Sequence, residues 1–264
     1  MDLNLKGKVV AITGGNSGIG LAAALGFARE GCKVAICGRS QAKLDAAKEK
    51  FAAEGFELFT DSIDVTKKEG LEKFVADVAA EYGQLNVFIN NAGSQCRKPA
   101  YEFTEEDFYK VIDTDLKSVF FGCVAAAEQM KREGHGGTII NTTSFTAAIP
   151  TSGISVYSAA KAGAEAFTKV FACEYAADGI RVLSLQPGMT MTDINRENCI
   201  KNHDGLVSSI AMKRLATPED YVNGYLFLAS DAVPYMDGAT LQINGAKFAT
   251  QNPHYAYRAK GELW

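Results

Sequence analysis

The chain has 264 residues, 47% of them hydrophobic, and a formal charge of −4. That length buries an ample core, while a mildly acidic balance disfavours a broad polyanion-binding surface, so nucleic acid is not an expected partner. No run approaches the roughly 18 apolar residues of a membrane span, and the amino terminus lacks the basic, apolar and small-residue pattern of a secretion signal. The expectation is a cytoplasmic protein without a membrane partner.

Residues 8–12 read as a buried strand, followed by a glycine-rich turn and an apolar helical pattern that stops at Gly31. Further strands are expected at 33–37, 58–63, 87–89, 137–142 and 181–186, with helices at 41–54, 68–82, 104–132, 156–177 and 218–230. Short apolar strands separated by helices favour right-handed crossovers into a parallel sheet covered on both faces, an α/β doubly wound arrangement of three layers. No linker, low-complexity tract or repeat divides the chain. One domain over 1–246 is therefore expected, with a C-terminal extension over 247–264. The six cysteines contain no CxxC pair and read as reduced structural thiols. The three histidines lack metal-ligand spacing, so no metal is expected.

The turn after the first strand is Thr13-Gly14-Gly15-Asn16-Ser17-Gly18-Ile19-Gly20. Glycines let backbone pass close to a pyrophosphate, whose charge the free N–H groups and positive end of the next helix receive. Further on, Tyr157 and Lys161 lie one helical turn apart, thirteen residues after Ser144. A phenol near pKa 10 is a poor base at neutral pH, and an adjacent ammonium stabilises its phenolate. A nucleotide cradle and a proton-transfer site in one chain point to hydride transfer.

Together with Asn90-Asn91-Ala92-Gly93 and Pro187-Gly188, these motifs appear in the order and approximate spacing of the short-chain dehydrogenase/reductase family, which the chain resembles over residues 5–245. The resemblance implies a single-domain Rossmann-like fold, a nicotinamide cofactor and interconversion of an alcohol and a carbonyl. It implies Tyr157 as acid and base, Ser144 hydrogen-bonded to the same substrate oxygen, and Lys161 also holding ribose hydroxyls. Gly14, Asn16, Ser17, Gly18, Ile19, Gly20, Asn91, Ala92 and Gly93 are then expected to line the cofactor. Asp64 and Val65 would meet the adenine, while Pro187, Gly188, Thr190 and Thr192 would embrace the nicotinamide end.

NAD-preferring relatives typically end the second strand on an acidic residue, where this chain has Gly38 followed by Arg39 and Ser40. An arginine fork suits a 2′-phosphate, which favours NADP(H). Asn16 stands where many NADP-preferring relatives carry Arg or Lys, which keeps NAD(H) as the alternative. A second departure is Asp115, at the position of the family's catalytic asparagine, which is thought to anchor a water linked to the lysine. Its carboxylate would partly neutralise Lys161 and make activity more alkaline than in an Asp115→Asn variant; a mid-helix Asp pointing to solvent is the other reading.

The stretch 90–99 resembles the gluconate 5-dehydrogenase-like branch of keto-sugar-acid reductases, which makes Arg97 a candidate carboxylate anchor and a surface arginine the alternative. Ser94, Cys96 and Asn244-Gly245-Ala246 depart from that branch. A substrate-covering segment is expected over 189–213. An apolar wall of Phe145, Ile149, Met189, Met191 and Ile194 would instead suit a bulkier hydrophobic ketone, steroid-like or acyl. A non-catalytic nucleotide sensor is the remote alternative. The family usually assembles as homotetramers, or homodimers, through helical faces such as 156–177, and the aromatic tail with Tyr255, Tyr257 and Trp264 is a candidate subunit contact.

Overall fold

The computed structural model describes residues 2–192, 195–247, 249–250, 253–254, 257 and 260. The apolar pentapeptide Val9–Thr13 forms β1, buried at every position, as a strand covered on both faces must be. It leads through the glycine turn into α1 (Gly18–Arg29), then β2 (Lys33–Gly38), α2 (Gln41–Ala53), β3 (Phe59–Ser62), α3 (Lys68–Tyr82) and β4 (Val87–Asn90). After a loop come α4 (Glu105–Ile112), α5 (Ser118–Glu133), β5 (Gly137–Thr142), the single turn α6 (Phe145–Ala148), α7 (Ser155–Tyr175) and β6 (Ile180–Pro187). Two short helices, α8 (Arg196–Lys201) and α9 (His203–Val207), precede α10 (Val222–Ala229) and β7 (Thr240–Ile243).

The seven strands form one parallel sheet in the order β3-β2-β1-β4-β5-β6-β7. The direction of winding reverses between β1 and β4, the switch point at which ligands of such sheets bind. Two apolar cores lie on opposite faces: Phe74, Phe88, Val119 and Phe171 in one, Phe27, Phe51, Tyr221 and Tyr225 in the other. The doubly wound α/β fold expected from the sequence is thus present. To the six strands read from the sequence it adds β7, which pairs on one side with β6.

The helix expected to run unbroken over 104–132 is interrupted. Between α4 and α5 lies a π-helical turn, Asp113–Lys117, in which the Ser118 N–H reaches back to the Asp113 carbonyl. Hydroxyls take up carbonyls that this wider turn strands: Thr114 donates to the Lys110 carbonyl at 2.8 Å and Ser118 to the Thr114 carbonyl at 2.5 Å. The start of α4 is fixed by a reciprocal capping box between Thr104 and Asp107. Across the sheet Asn90 donates to Asn141 at 2.9 Å and Asn141 to Thr168 at 3.0 Å, tying β4 and β5 to α7 through a buried polar chain.

Candidate active site

The glycine turn is held at close quarters. A Cβ on Gly14, whose φ is +65°, would lie 2.9 Å from the Ala92 Cα, and one on Gly20 would lie 2.4 Å from the Asn91 amide nitrogen. Only glycine lets the turn and the end of β4 approach in this way. The Thr13 hydroxyl accepts from the Asn91 and Ala92 N–H groups at 3.0 and 3.1 Å, and the Asn91 side chain donates to the Thr13 and Gly14 carbonyls. The turn therefore opens α1 with its N–H groups uncrowded by side chains, the geometry a pyrophosphate requires. Ser17 and Ile19 stand half-buried in it.

At the end of β2 the Asn16 side chain fills the space in front of Gly38, since a Cβ there would lie 2.6 Å from its amide nitrogen. Arg39 and Ser40 are exposed at the start of α2, which Ser40 caps by accepting from the Lys43 N–H. Asp64 accepts from the Thr66 N–H at 3.0 Å; burial pushes its carboxyl up, but the hydrogen bonds from the Thr66 backbone and side chain, with the charges of Arg39 and Lys67, outweigh this and hold it below the ordinary aspartate range. Val65 beside it is buried. On the far side of the crevice Thr192 lies against Gly18, 3.6 Å from where a Cβ would stand. Asn195 fixes this strip by accepting from the Thr192 N–H at 2.8 Å and donating to the Thr190 carbonyl at 2.9 Å. Thr190 also shares a 2.6 Å hydrogen bond with Tyr221, and Gly188 is pressed so close to Asn244 that a Cβ would lie 2.7 Å from its Cα.

The proton-transfer residues meet where β5 ends. Ser144 is buried and its oxygen accepts from the Thr146 N–H and hydroxyl at 3.2 and 3.0 Å, which leaves its own hydrogen to point elsewhere. Tyr157 is half-buried on α7, with the Lys161 ammonium 5.6 Å from its ring centre. The ammonium donates to the Thr142 carbonyl at 3.0 Å and pairs with Asp115 at 3.2 Å. Asp115 is fully buried, so its alternative reading as a solvent-pointing side chain does not hold. Its other oxygen accepts from the Ser94 N–H at 2.8 Å and hydroxyl at 3.1 Å. Gly93 makes room for it: a Cβ there would lie 2.8 Å from Asp115 Oδ1.

Burial raises the pKa of Tyr157; Lys161 opposes this, Asp115 adds to it, and the Ser144 hydroxyl pulls it back. For Lys161, burial disfavours the ammonium, but Asp115 and the phenol outweigh it, so its pKa is raised and the charge is kept. Burial lifts the Asp115 carboxyl above the usual aspartate range against the pull of Lys161 and Ser94.

Around this centre, Arg97 is exposed and packs against Gly153, in the turn that leads into α7; next to it the Lys98 N–H donates to the Gly153 carbonyl at 2.9 Å. Phe145 is buried beside a cavity of about 150 Å³ that Ile149, Gln186, Asn244 and Lys247 also line. Met189 and Met191 pack into the small core of the 189–213 segment with Cys199, Ile210 and Leu215, which gives them a packing role in that segment. Ile194, Tyr255 and Trp264 lie outside the described residues. The described tail residues return to the same segment: Lys247 hydrogen-bonds Ser209, His254 meets the Ile210 carbonyl at 2.9 Å, and Lys213 lies 3.8 Å from the centre of the Tyr257 ring. Sequence reasoning missed Ser94, the Thr142 carbonyl, Tyr221 and Asn195. Backbone acceptors and partners brought together by tertiary contact leave no local signal.

A dinucleotide cradle at the switch point, set against a half-buried tyrosine with a buried lysine and serine, defines a nicotinamide-dependent oxidoreductase acting on alcohols or carbonyls. The family model for short chain dehydrogenase matches residues 8–202. The chain is 35% identical to 3-oxoacyl-acyl-carrier-protein reductase of Chlamydia pneumoniae over 245 residues, 93% of this chain and 98% of that one. It is 32% identical to gluconate 5-dehydrogenase of Gluconobacter oxydans, covering 92% and 95%. Among solved structures, one from Beutenbergia cavernae, assigned as NAD(P)-dependent gluconate 5-dehydrogenase with NADP bound at low occupancy, superposes with a TM-score of 0.89 at 28% identity, covering 95% and 100%. The chain belongs to the short-chain dehydrogenase family and uses NAD(P)(H).

Proposed function

We propose that the protein interconverts a secondary alcohol and a ketone with NADP(H), the ketone being a keto-sugar acid of the 5-ketogluconate type. The convergence of Ser144, Tyr157 and Lys161 beside the glycine turn carries the reaction. In reduction, Tyr157 gives its phenolic proton to the carbonyl oxygen, Ser144 donates to the same oxygen, and Lys161 stabilises the phenolate left behind. In oxidation the phenolate takes the hydroxyl proton. When bound, the nicotinamide supplies or accepts the hydride. Gly14 to Gly20, Asn91 to Gly93, Asp64 and Val65, and the strip Pro187, Gly188, Thr190 and Thr192 hold the cofactor. Lys161 holds its ribose.

Exposed Arg39, with no carboxylate at position 38, supports the preference for a 2′-phosphate, and so does the NADP in the Beutenbergia cavernae structure. Arg97 is suited to grip a carboxylate in two parallel hydrogen bonds. The apolar ring of Phe145 and the similarity to an acyl-ketone reductase favour a bulkier hydrophobic ketone as the second reading. We further propose a cytoplasmic homotetramer; among the described residues no helix is long and apolar enough to cross a membrane.

Oxidation of NADPH and of NADH is to be followed with keto-sugar acids and, separately, with bulky apolar and acyl ketones. Turnover restricted to keto-acids with NADPH, and a KM raised about tenfold or more by Arg97→Ala, is the expected result. Turnover restricted to apolar ketones removes Arg97 as anchor and promotes Phe145. Cofactor binding without turnover of any ketone would leave the sensor reading.

A further inference from the structure

We propose that Asp115 is a positioning residue that acts as the direct counterion of Lys161, keeping Tyr157 a proton donor and locking the Arg97-bearing loop to the same pair. The inference rests on Tyr157 being the acid and base. One carboxylate does two tasks with different oxygens: Oδ1 faces the ammonium at 3.2 Å, and Oδ2 accepts both Ser94 donors. The π turn presents Asp115 at the point where Gly93 leaves it room. The Lys110 carbonyl of α4, 3.3 Å from the Ser94 hydroxyl, is the other acceptor within reach of that hydroxyl's single hydrogen.

Among the described residues no other charged side chain pairs with Lys161 or Asp115. The charged and titratable groups acting on Lys161 are Asp115 and Tyr157, and the one acting on Asp115 is Lys161. The neighbouring Asp113 and Lys117 are partly exposed and pair with each other at 2.8 Å. Among the described residues, β5 reaches the ammonium through the Thr142 carbonyl, and the loop reaches the carboxylate through Ser94. With its counterion in place, Lys161 has less positive charge to offer the phenolate, so the phenol keeps its proton over a wider range of pH. The arrangement suits delivery of a proton to a carbonyl more than removal of one from an alcohol. A neutral asparagine retains a carbonyl oxygen for Ser94 and lacks the charge.

The test is ultraviolet difference titration of tyrosinate in the cofactor-free protein, using Tyr157→Phe to identify the Tyr157 signal, beside the pH profile of kcat in both directions. In Asp115→Asn the Tyr157 midpoint and the matching limb of each profile are expected to fall together by about one to two pH units. Thermal unfolding of Asp115→Asn checks that the fold is kept, and Ser94→Ala, which retains the backbone donor, is expected to leave the titration in place. An unchanged or raised Tyr157 midpoint in folded Asp115→Asn overturns the inference. If Tyr157→Phe retains turnover, the acid-base reading fails instead, whatever the titration of the pair.

Discussion

At the scale of single residues, the site is governed by where a side chain is absent. Gly14, Gly20 and Gly93 each stand where one added carbon would strike backbone, an amide or a carboxylate. Gly38 differs, because the atom in its way is the movable end of Asn16. Gly38→Asp is therefore expected to fold, push the Asn16 amide aside and set a carboxylate where a 2′-phosphate would lie. Its ratio of kcat/KM for NADPH over NADH should fall on the order of tenfold or more, about 1.4 kcal/mol, in parallel steady-state assays. An unchanged ratio would sink the assignment of 2′-phosphate binding to this strand end. Ser144, Tyr157 and Lys161 were legible in the sequence because their spacing is local. That Asp115 bears on Lys161 followed from its place at the family's asparagine position; the direct ion pair did not, because it depends on an irregular turn and on a loop 21 residues away.

At the scale of elements, apolar runs located β1, β2, β4, β5 and β6, which are buried on both faces, while the edge strand β3, half-buried or exposed, was read from the apolar Leu58, Phe59 and Ile63 around its polar centre. β7 escaped because four half-buried or exposed residues, Thr240–Ile243, carry no such run and take their place by pairing with β6. The interrupted helix escaped for another reason: its apolar pattern continues through the π turn, and the hydroxyls that permit the turn are ordinary Thr and Ser in a helix. The polar chain from Asn90 through Asn141 to Thr168 is the element-level joint beneath the site, tying the strand ends to the helix that bears Tyr157. Asn141→Ala leaves Asn90 and Thr168 without that partner in a dry interior. It should cost about 1–3 kcal/mol in urea unfolding and lower kcat through misplacement of α7.

At the scale of the whole molecule, the face shared by α5 and α7 is aromatic and open. Phe120 packs on Phe167 and Phe171 with ring centres 5.4 Å apart in each case, yet 36% of it remains exposed, and Val170 beside them is 49% exposed. Such a face suits a second copy of the chain, in keeping with the proposed homotetramer. Val170→Asp should shift the mass seen by light scattering to a smaller species without unfolding it; an unchanged mass would place the subunit contact elsewhere. The described tail residues contact their own chain around Ser209, Ile210 and Lys213. Composition alone suggested an aromatic tail in contact with a neighbouring subunit, and it could not show this intramolecular contact.

The π turn also bears on which changes in chain length the protein can tolerate. Losing one residue between Asp113 and Lys117 would close the π turn into a regular helix, the lower-energy path for the backbone, and leave α4 and α5 showing nearly their present faces. What would go is the widened turn that sets Asp115 between Lys161 and Ser94. A shortening that looks neutral in an alignment would thus keep the aromatic face and remove the counterion.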